Sequence, residues 1–221
     1  PLAGGPRAVP VPAPHRRLLV PQPPGRLTAD PHRLLAWAAE RGRDLPWRAT
    51  RDPWEVLVAE VMLQQTQVVR VVPAWHAFLA RFPTVGDCAA APVADVITQW
   101  AGLGYNRRAV FLHRSAVAVV ERHGGRFPDD LPDLLALPGI GPYTARAVVA
   151  FAYESDEVGV LDTNAARVLA RWEGRTLGRA EAHGLRRVLQ ADLHFEGSGH
   201  GIGLWCNLAN MAANLDRWII G

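Results

Sequence analysis

The spacing of hydrophobic and polar positions predicts a chain of short helices. Apolar residues recur every three to four positions, and no segment alternates apolar and polar residues over the length of a strand. Prolines, glycines and small polar residues interrupt the pattern where helices are expected to begin and end. The predicted fold class is therefore all-α. The predicted helices cover residues 31–42, 53–69, 73–82, 84–91, 92–101, 107–122, 131–137, 142–153 and 163–172.

The two ends of the chain differ from this pattern. Residues 1–25 are rich in proline, alanine and glycine and show no periodic apolar face, which predicts a disordered or loosely attached leader. Residues 194–221 combine a glycine-rich stretch with an apolar end and form a divergent tail. The helical pattern between them predicts one domain over residues 26–193.

Residues 137–146 read LPGIGPYTAR and predict a helix, a tight turn and a second helix. Pro138 discourages further helix, and Pro142 is suited to open the next one. Gly139 and Gly141 let the backbone approach a partner closely, and the amides of the turn and of the helix start predict an anion site. The natural anion is a phosphate. The alternative is a helix corner in which glycine only stops the first helix.

Glu60 lies within the predicted helix 53–69, and its neighbours at helical spacing are mostly apolar. Such surroundings should raise the pKa of its carboxyl and keep it partly protonated near neutrality, as a general acid requires. The alternative is an ordinary glutamate at the edge of an amphipathic face. Asp162 precedes another predicted helix, where an aspartate is a favourable cap. A carboxylate held by helix amides stays ionised, so a capping role is compatible with a charge-stabilising one.

Three segments together carry a resemblance to a known family. Residues 137–146 resemble the helix-hairpin-helix motif of the base-excision DNA glycosylase superfamily. Residues 45–48 (LPWR) and 59–68 (AEVMLQQTQV) are similar to its adenine-specific, MutY-like mismatch glycosylases. The similarity runs from about residue 41 to about residue 171. It implies two helical subdomains with the active site in the cleft between them: a six-helix subdomain over about 52–160, and a second from 26–51 plus 161–193.

The resemblance also implies a function and the residues that perform it. The expected reaction is the monofunctional hydrolysis of the N-glycosidic bond of adenine mispaired with 8-oxoguanine or guanine, in base excision repair. Glu60 would protonate the adenine, Asp162 would stabilise the oxocarbenium-like sugar, and Tyr143 stands where strand-cleaving relatives have a lysine. The other implied contacts are Arg43, Leu45, Trp47, Arg48 and Leu63 for the base pocket, Gln65 and Tyr105 for the lesion pair, and Gly139, Ile140, Gly141 and Thr144 for the DNA backbone.

Some of these residues have plainer interpretations. Trp47 could simply seal the core, and Tyr105 could be a packing residue of its glycine-rich turn. The family pattern has a second tyrosine where this chain has Asn106. Two other functions stay open: a thymine or uracil mismatch glycosylase of the same fold, and a non-catalytic DNA-binding remnant.

The basic residues restrict the chemistry. The formal net charge is +3, and all 24 Lys and Arg positions are arginine. Without lysine, a strand-nicking mechanism through a lysine Schiff base is not expected, although a free Pro1 amine could substitute for it.

The two cysteines restrict the cofactor. The family carries a [4Fe-4S] cluster on four cysteines, whereas Cys88 and Cys206 are the cysteines of this chain, so the ligand set is absent. A truncation, a changed reading frame or a clusterless variant would each explain this. Unpatterned histidines at 183, 194 and 200 predict no metal site. No apolar run reaches membrane-spanning length, so we expect a cytoplasmic protein. The resemblance implies a nucleoid-associated monomer that binds double-stranded DNA.

Overall fold

The computed structural model describes residues 44–155 and 158–162, together with residues 40, 166, 167 and 170. Within these ranges the chain is helical and contains no strand, which confirms the predicted all-α class. None of the helices described is both long and apolar enough to cross a membrane. The helices are α1 (Pro53–Leu63), α2 (Val68–Arg81), α3 (Val85–Ala90), α4 (Val93–Gln99), α5 (Arg107–His123), α6 (Leu131–Leu135) and α7 (Pro142–Ala152), preceded by a 3-10 turn at Pro46–Arg48.

Helix α1 lies at the centre of the domain. Its N-terminus is fixed by Asp52, whose Oδ1 accepts hydrogen bonds from the amides of Trp54 (2.7 Å) and Glu55 (3.3 Å). From residue 56 to residue 62 every side chain is buried, so α1 has no polar face. A helix that is apolar on all sides must be enclosed by other elements. Helices α2, α5 and α7 all pack against it.

An aromatic cluster anchors the start of α1 to the neighbouring helices. The indole of Trp54 donates to the carbonyl of Phe82 at 3.0 Å, and its ring packs against Phe78 with a centroid distance of 6.2 Å. Phe78 in turn makes an edge contact with Trp100 at 5.9 Å. These rings are almost completely buried and bring the ends of α2 and α4 onto α1.

The boundary between the first two predicted helices is wrong. We predicted a helix to residue 69 and a new one from Pro73, whereas the break lies at residues 64–67 and Pro73 is inside α2. Gln65 adopts a left-handed φ of 55°, which no helix can continue through. Pro73 is tolerated because it lies on the exposed side of α2, where water can satisfy the carbonyl that loses its partner.

The other described helices lie close to their predicted positions. Gly124 ends α5 in a left-handed conformation, as expected for a glycine stop. Asn106 precedes α5, but its side chain makes no cap hydrogen bond. The predicted helix 31–42 lies outside the described residues except for Glu40, as do the leader, the tail and most of helix 163–172.

The predicted hairpin joins α6 to α7 and is held in place by α5. The hydroxyl of Ser115 donates to the carbonyl of Pro138 at 2.6 Å. Gly139 has a φ of +78°, and a Cβ added to it would lie 2.6 Å from the Cβ of Phe111. Gly139 is therefore required both by its backbone conformation and by close packing, whereas a Cβ at Gly141 would meet nothing within 4 Å.

This difference predicts that substitution of Gly139 destabilises the fold much more than substitution of Gly141. We expect Gly139→Ala to lower the free energy of unfolding by about 1 to 3 kcal/mol, because the new Cβ adds strain and displaces Phe111. Gly141→Ala should change it by less than about 0.5 kcal/mol. Urea denaturation of both variants measures the difference, and equal effects would show that Phe111 does not constrain the turn.

Candidate active site

The carboxyl of Glu60 is buried within the apolar surroundings of α1, with 8% of the residue exposed. This burial raises the pKa of Glu60 from its ordinary value of 4.5 to about 7. The phenol of Tyr143 donates a hydrogen bond to the carboxylate, which opposes the rise, and the nearby negative charge of Asp162 adds to it. The raised pKa expected from the helical neighbours of Glu60 is thus found in the structure.

Three separate elements bring these side chains together. Glu60 lies near the C-terminal end of α1, and Tyr143 lies in the first turn of α7, which packs along α1. Asp162 ends the segment 158–162, whose apolar side chains are buried, and its own side chain is half-buried. The carbonyl of Asp162 accepts from the amide of Ala166 at 3.0 Å, the hydrogen bond of a first helical turn. One carboxyl is therefore desolvated and protonatable, while the second lies at a chain turn that is more open to solvent.

The hairpin supplies the backbone donors beside this cluster. Within the described part of the chain, no hydrogen bond involves the amides of Gly139 and Gly141, and Gly141 is the cap residue of α7. The amide of Ile140 instead donates to the carbonyl of Leu137 at 3.2 Å, and its side chain is buried. The side chain of Thr144 is also buried, so this residue could contact an outside partner only through its backbone. Tyr143, two residues after Gly141, connects the hairpin to the buried carboxyl through its hydrogen bond with Glu60.

The residues predicted to line a base pocket differ in how deeply they are buried. Leu45 and Trp47 are both 7% exposed and belong to the core, where Trp47 makes an edge contact with Trp75 at 6.1 Å. This packing favours the plainer interpretation of Trp47 as a core residue. Arg48 and Leu63 are half-buried, and Arg43 lies outside the described residues.

The two residues predicted to contact a lesion pair are both exposed and both strained. Gln65 and Tyr105 have left-handed φ angles of 55° and 49°, and Tyr105 is 66% exposed. The exposure of Tyr105 speaks against the alternative in which it is a packing residue. Sequence reasoning missed Arg108, which holds both turns and whose acceptors are mostly backbone carbonyls. Carbonyl acceptors have no signature in the sequence.

The residues present do not fit a four-cysteine cluster. Cys88 is fully buried in an apolar site that raises the pKa of its thiol to about 12, so it is not a ready thiolate ligand. Among the described residues, no group of three His, Cys, Asp or Glu side chains could hold a metal ion. Cys206 and the predicted surface histidines lie outside the described residues.

The fold and the site define a class of protein: a helical domain in which a hairpin joins two helices and the first turn of the second helix contacts a buried carboxyl of raised pKa. A family model described as HhH-GPD superfamily base excision DNA repair protein matches residues 58–183. The chain belongs to this superfamily.

Several known proteins are similar to the chain. An adenine DNA glycosylase of Mycobacterium tuberculosis is 48% identical over 150 residues, which are 67% of this chain and 48% of that protein. The human adenine DNA glycosylase is 42% identical over 147 residues, 62% of this chain and 27% of that protein. The chain thus spans about half the length of its mycobacterial relative.

Two similar solved structures are those of other DNA glycosylases. A thermostable thymine-DNA glycosylase has a TM-score of 0.71 at 26% identity and covers 83% of this chain and 84% of its own. A 3-methyladenine DNA glycosylase of H. pylori has a TM-score of 0.65 at 15% identity, covering 85% of this chain and 95% of its own, which supports the fold.

The raised pKa of Glu60 predicts a pH-dependent loss of stability. Below pH 4.5 the carboxyl is neutral in both states, but between pH 4.5 and 7 the unfolded chain releases a proton that the folded chain keeps. Stability therefore falls as the pH rises through this window and the loss is complete above pH 7, where it reaches about 3 kcal/mol. Glu60→Gln should remove this pH-dependent loss of stability, because the amide of glutamine does not titrate.

Thermal denaturation of the wild type and Glu60→Gln from pH 4.5 to 8 measures this effect. We expect the variant to gain stability relative to the wild type as the pH rises. Glu121→Gln, which removes an exposed carboxyl on α5, is the matched control for the loss of one charge. A wild-type advantage at pH 8 would contradict the burial of an ionisable Glu60.

Proposed function

We propose that this chain is the catalytic domain of a monofunctional adenine DNA glycosylase that acts on adenine mispaired with 8-oxoguanine or guanine. The observation that carries the proposal is the buried Glu60, with a pKa of about 7, hydrogen-bonded by Tyr143 and close to the charge of Asp162. The identity to adenine DNA glycosylases across this domain supports the choice of base. The enzyme acts as a monomer on the double-stranded DNA of the nucleoid.

Glu60 is the general acid of the proposed reaction. A carboxyl with a pKa near the working pH is present in its protonated form and still transfers its proton readily. Protonation of the adenine ring makes the base a better leaving group, and the C–N bond to the sugar then breaks. The hydrogen bond that the phenol of Tyr143 donates to Glu60 stabilises the resulting carboxylate.

Asp162 stabilises the positive charge that develops on the sugar. Its charge reaches Glu60, so both carboxyls belong to one electrostatic site although their surroundings differ. A pair of carboxyls in unlike environments divides the acid and the charge-stabilising roles, as in glycoside hydrolysis. Water then adds to the sugar carbon and its released proton returns to the Glu60 carboxylate, which completes the hydrolysis and restores the acid.

The exposed parts of the domain hold the substrate. The free amides of the hairpin bind backbone phosphate, which positions the duplex without reading its sequence. In this proposal the exposed Gln65 and Tyr105 contact the lesion pair, and the half-buried Arg48 and Leu63 line the base pocket. The adenine must leave the stack, which costs roughly a few kcal/mol and least for a mispaired base.

A thymine-directed mismatch glycosylase is the second candidate. The structural similarity to a thermostable thymine-DNA glycosylase over 83% of the chain favours it. Product analysis on duplexes with A:8-oxoguanine, A:G, T:G and U:G pairs separates the two functions. No base release from any of them would favour a DNA-binding protein without catalysis.

The assignment of Glu60 predicts a loss of chemistry without a loss of binding. Glu60→Gln should bind an A:8-oxoguanine duplex about as tightly as the wild type and release adenine at least about a hundredfold more slowly, because the amide cannot donate the proton. Single-turnover assays measure the rate. The matched control is Glu55→Gln, one turn earlier in α1 and only half-buried. Unchanged rates in Glu60→Gln would refute the role.

If the hairpin binds backbone phosphate, its substitution should weaken the binding of DNA whatever the base sequence of the duplex. Gly141→Leu should weaken binding to matched and mispaired duplexes alike by about tenfold, because the new side chain keeps phosphate from the hairpin amides. A Cβ at this position meets nothing within 4 Å in the folded domain. Binding should also weaken as salt rises. Ala80→Leu, an exposed substitution on α2, is the control. A loss limited to mispaired DNA would mean that the hairpin reads bases.

A further inference from the structure

The domain has two exposed turns that lie at helix ends. The first, residues 64–67, follows α1, and the second, residues 102–106, precedes α5. Each carries a non-glycine residue in the left-handed region, Gln65 in the first and Tyr105 in the second. This conformation costs about 1 to 3 kcal/mol and persists only where the surroundings enforce it. Some interaction must therefore hold both turns.

The guanidinium of Arg108, in the first turn of α5, contacts both turns and α1. Its terminal nitrogens lie within hydrogen-bonding distance of oxygens from three parts of the chain. They are the carbonyl oxygens of Val61 (3.0 Å), Met62 (3.0 Å), Gln64 (2.5 Å), Leu103 (3.1 Å) and Gly104 (3.0 Å) and the hydroxyl of Thr66 (3.1 Å).

Ring contacts and neighbouring side chains strengthen this arrangement. The Cζ of Arg108 lies 5.6 Å from the ring centroid of Tyr105 and 5.5 Å from that of the fully buried Trp100. The guanidinium thus supports the exposed tyrosine against the core. Arg70 donates to the carbonyl of Gly102, and the hydroxyl of Thr66 lies 3.5 Å from the carbonyl of Leu103. All three carbonyls of residues 102–104 therefore face cationic side chains.

We propose that Arg108 is a positioning residue that joins the two turns into one preformed element for contact with the lesion pair. This inference rests on the proposed function only for what the element contacts. Because one planar group binds acceptors on both turns, a displacement of either turn breaks its hydrogen bonds to a group that also holds the other turn. Lysine could not replace it, since a point charge with three donors cannot span these acceptors. Preformed geometry aids binding because less order is lost when DNA docks.

The first test is amide hydrogen exchange in the free protein, which needs no DNA. In Arg108→Met, exchange should increase together in residues 64–67 and 102–106, while the interior of α1 stays protected. Arg108→Lys should show a smaller increase in the same two turns. The matched control is Arg122→Met, which removes the same charge from the exposed last turn of α5. An increase in one turn alone, or in neither, would overturn the proposal.

A milder variant covers the case in which Arg108→Met does not fold. Thr66→Val removes the hydroxyl that lies between Arg108 and the carbonyl of Leu103. We expect exchange to increase in both turns here as well. An increase confined to residues 64–67 would show that the turns are independent.

The second test measures discrimination between DNA substrates. The preference of the wild type for an A:8-oxoguanine duplex over a matched duplex should fall about tenfold in Arg108→Met, with matched affinity equal to that of Arg122→Met. The pH dependence of adenine release should keep its midpoint, because burial, Tyr143 and Asp162 shift the pKa of Glu60 and Arg108 is not among these causes. Undiminished discrimination would overturn the proposal. A wild type that releases no adenine, with coupled exchange intact, would refute the proposed function and leave the joined turns in place.

Discussion

The structure depends on one constraint: the helix that carries Glu60 is buried on every side. Helices α2, α5 and α7 enclose α1, and the same enclosure takes water away from the carboxyl. Burial of an ionisable group opposes folding, and the hydrogen bond from Tyr143 acts against the rise in the pKa of Glu60. The surrounding core must supply the stability that this group removes. The large aromatic side chains around Trp54 and Phe78 are suited to that task, since their burial contributes most per residue.

Helix α5 connects this core to both exposed parts of the proposed DNA-binding surface. Phe111 and Ser115 contact the hairpin, and Arg108 contacts the two turns with left-handed residues. These three positions are spaced by three and four residues, so they share one face of the helix. The hairpin and the paired turns are thus attached to a common rigid element. Contacts with α5 therefore help to set their relative position.

The sequence predicted best what depends on local pattern. The burial of Glu60 follows from its neighbours within one helix, and the hairpin follows from glycines and prolines within six residues. Predictions from the sequence failed where contacts between residues far apart in the chain determine the local structure. The helix break lies at Gln65 rather than at Pro73 because carbonyls near residue 64 bind Arg108 from α5, which is far along the chain. Trp47 lies in a loop that resembles a pocket segment, yet its contact with Trp75 places it in the core.

Arg108 also connects the exposed turns to the chemistry. The carbonyls it binds on α1 belong to Val61 and Met62, the two residues that follow Glu60, so the guanidinium caps the helix end that carries the acid. A cation at a helix C-terminus is favourable, and here it satisfies carbonyls that have no partner further along the helix. The turn with Gln65 therefore begins within about one helical turn of the carboxyl and is held by the group that ends α1. Because the burial of α1 fixes Glu60 and Arg108 fixes the end of α1, the position of the acid and the position of the exposed turns are parts of the same packing arrangement.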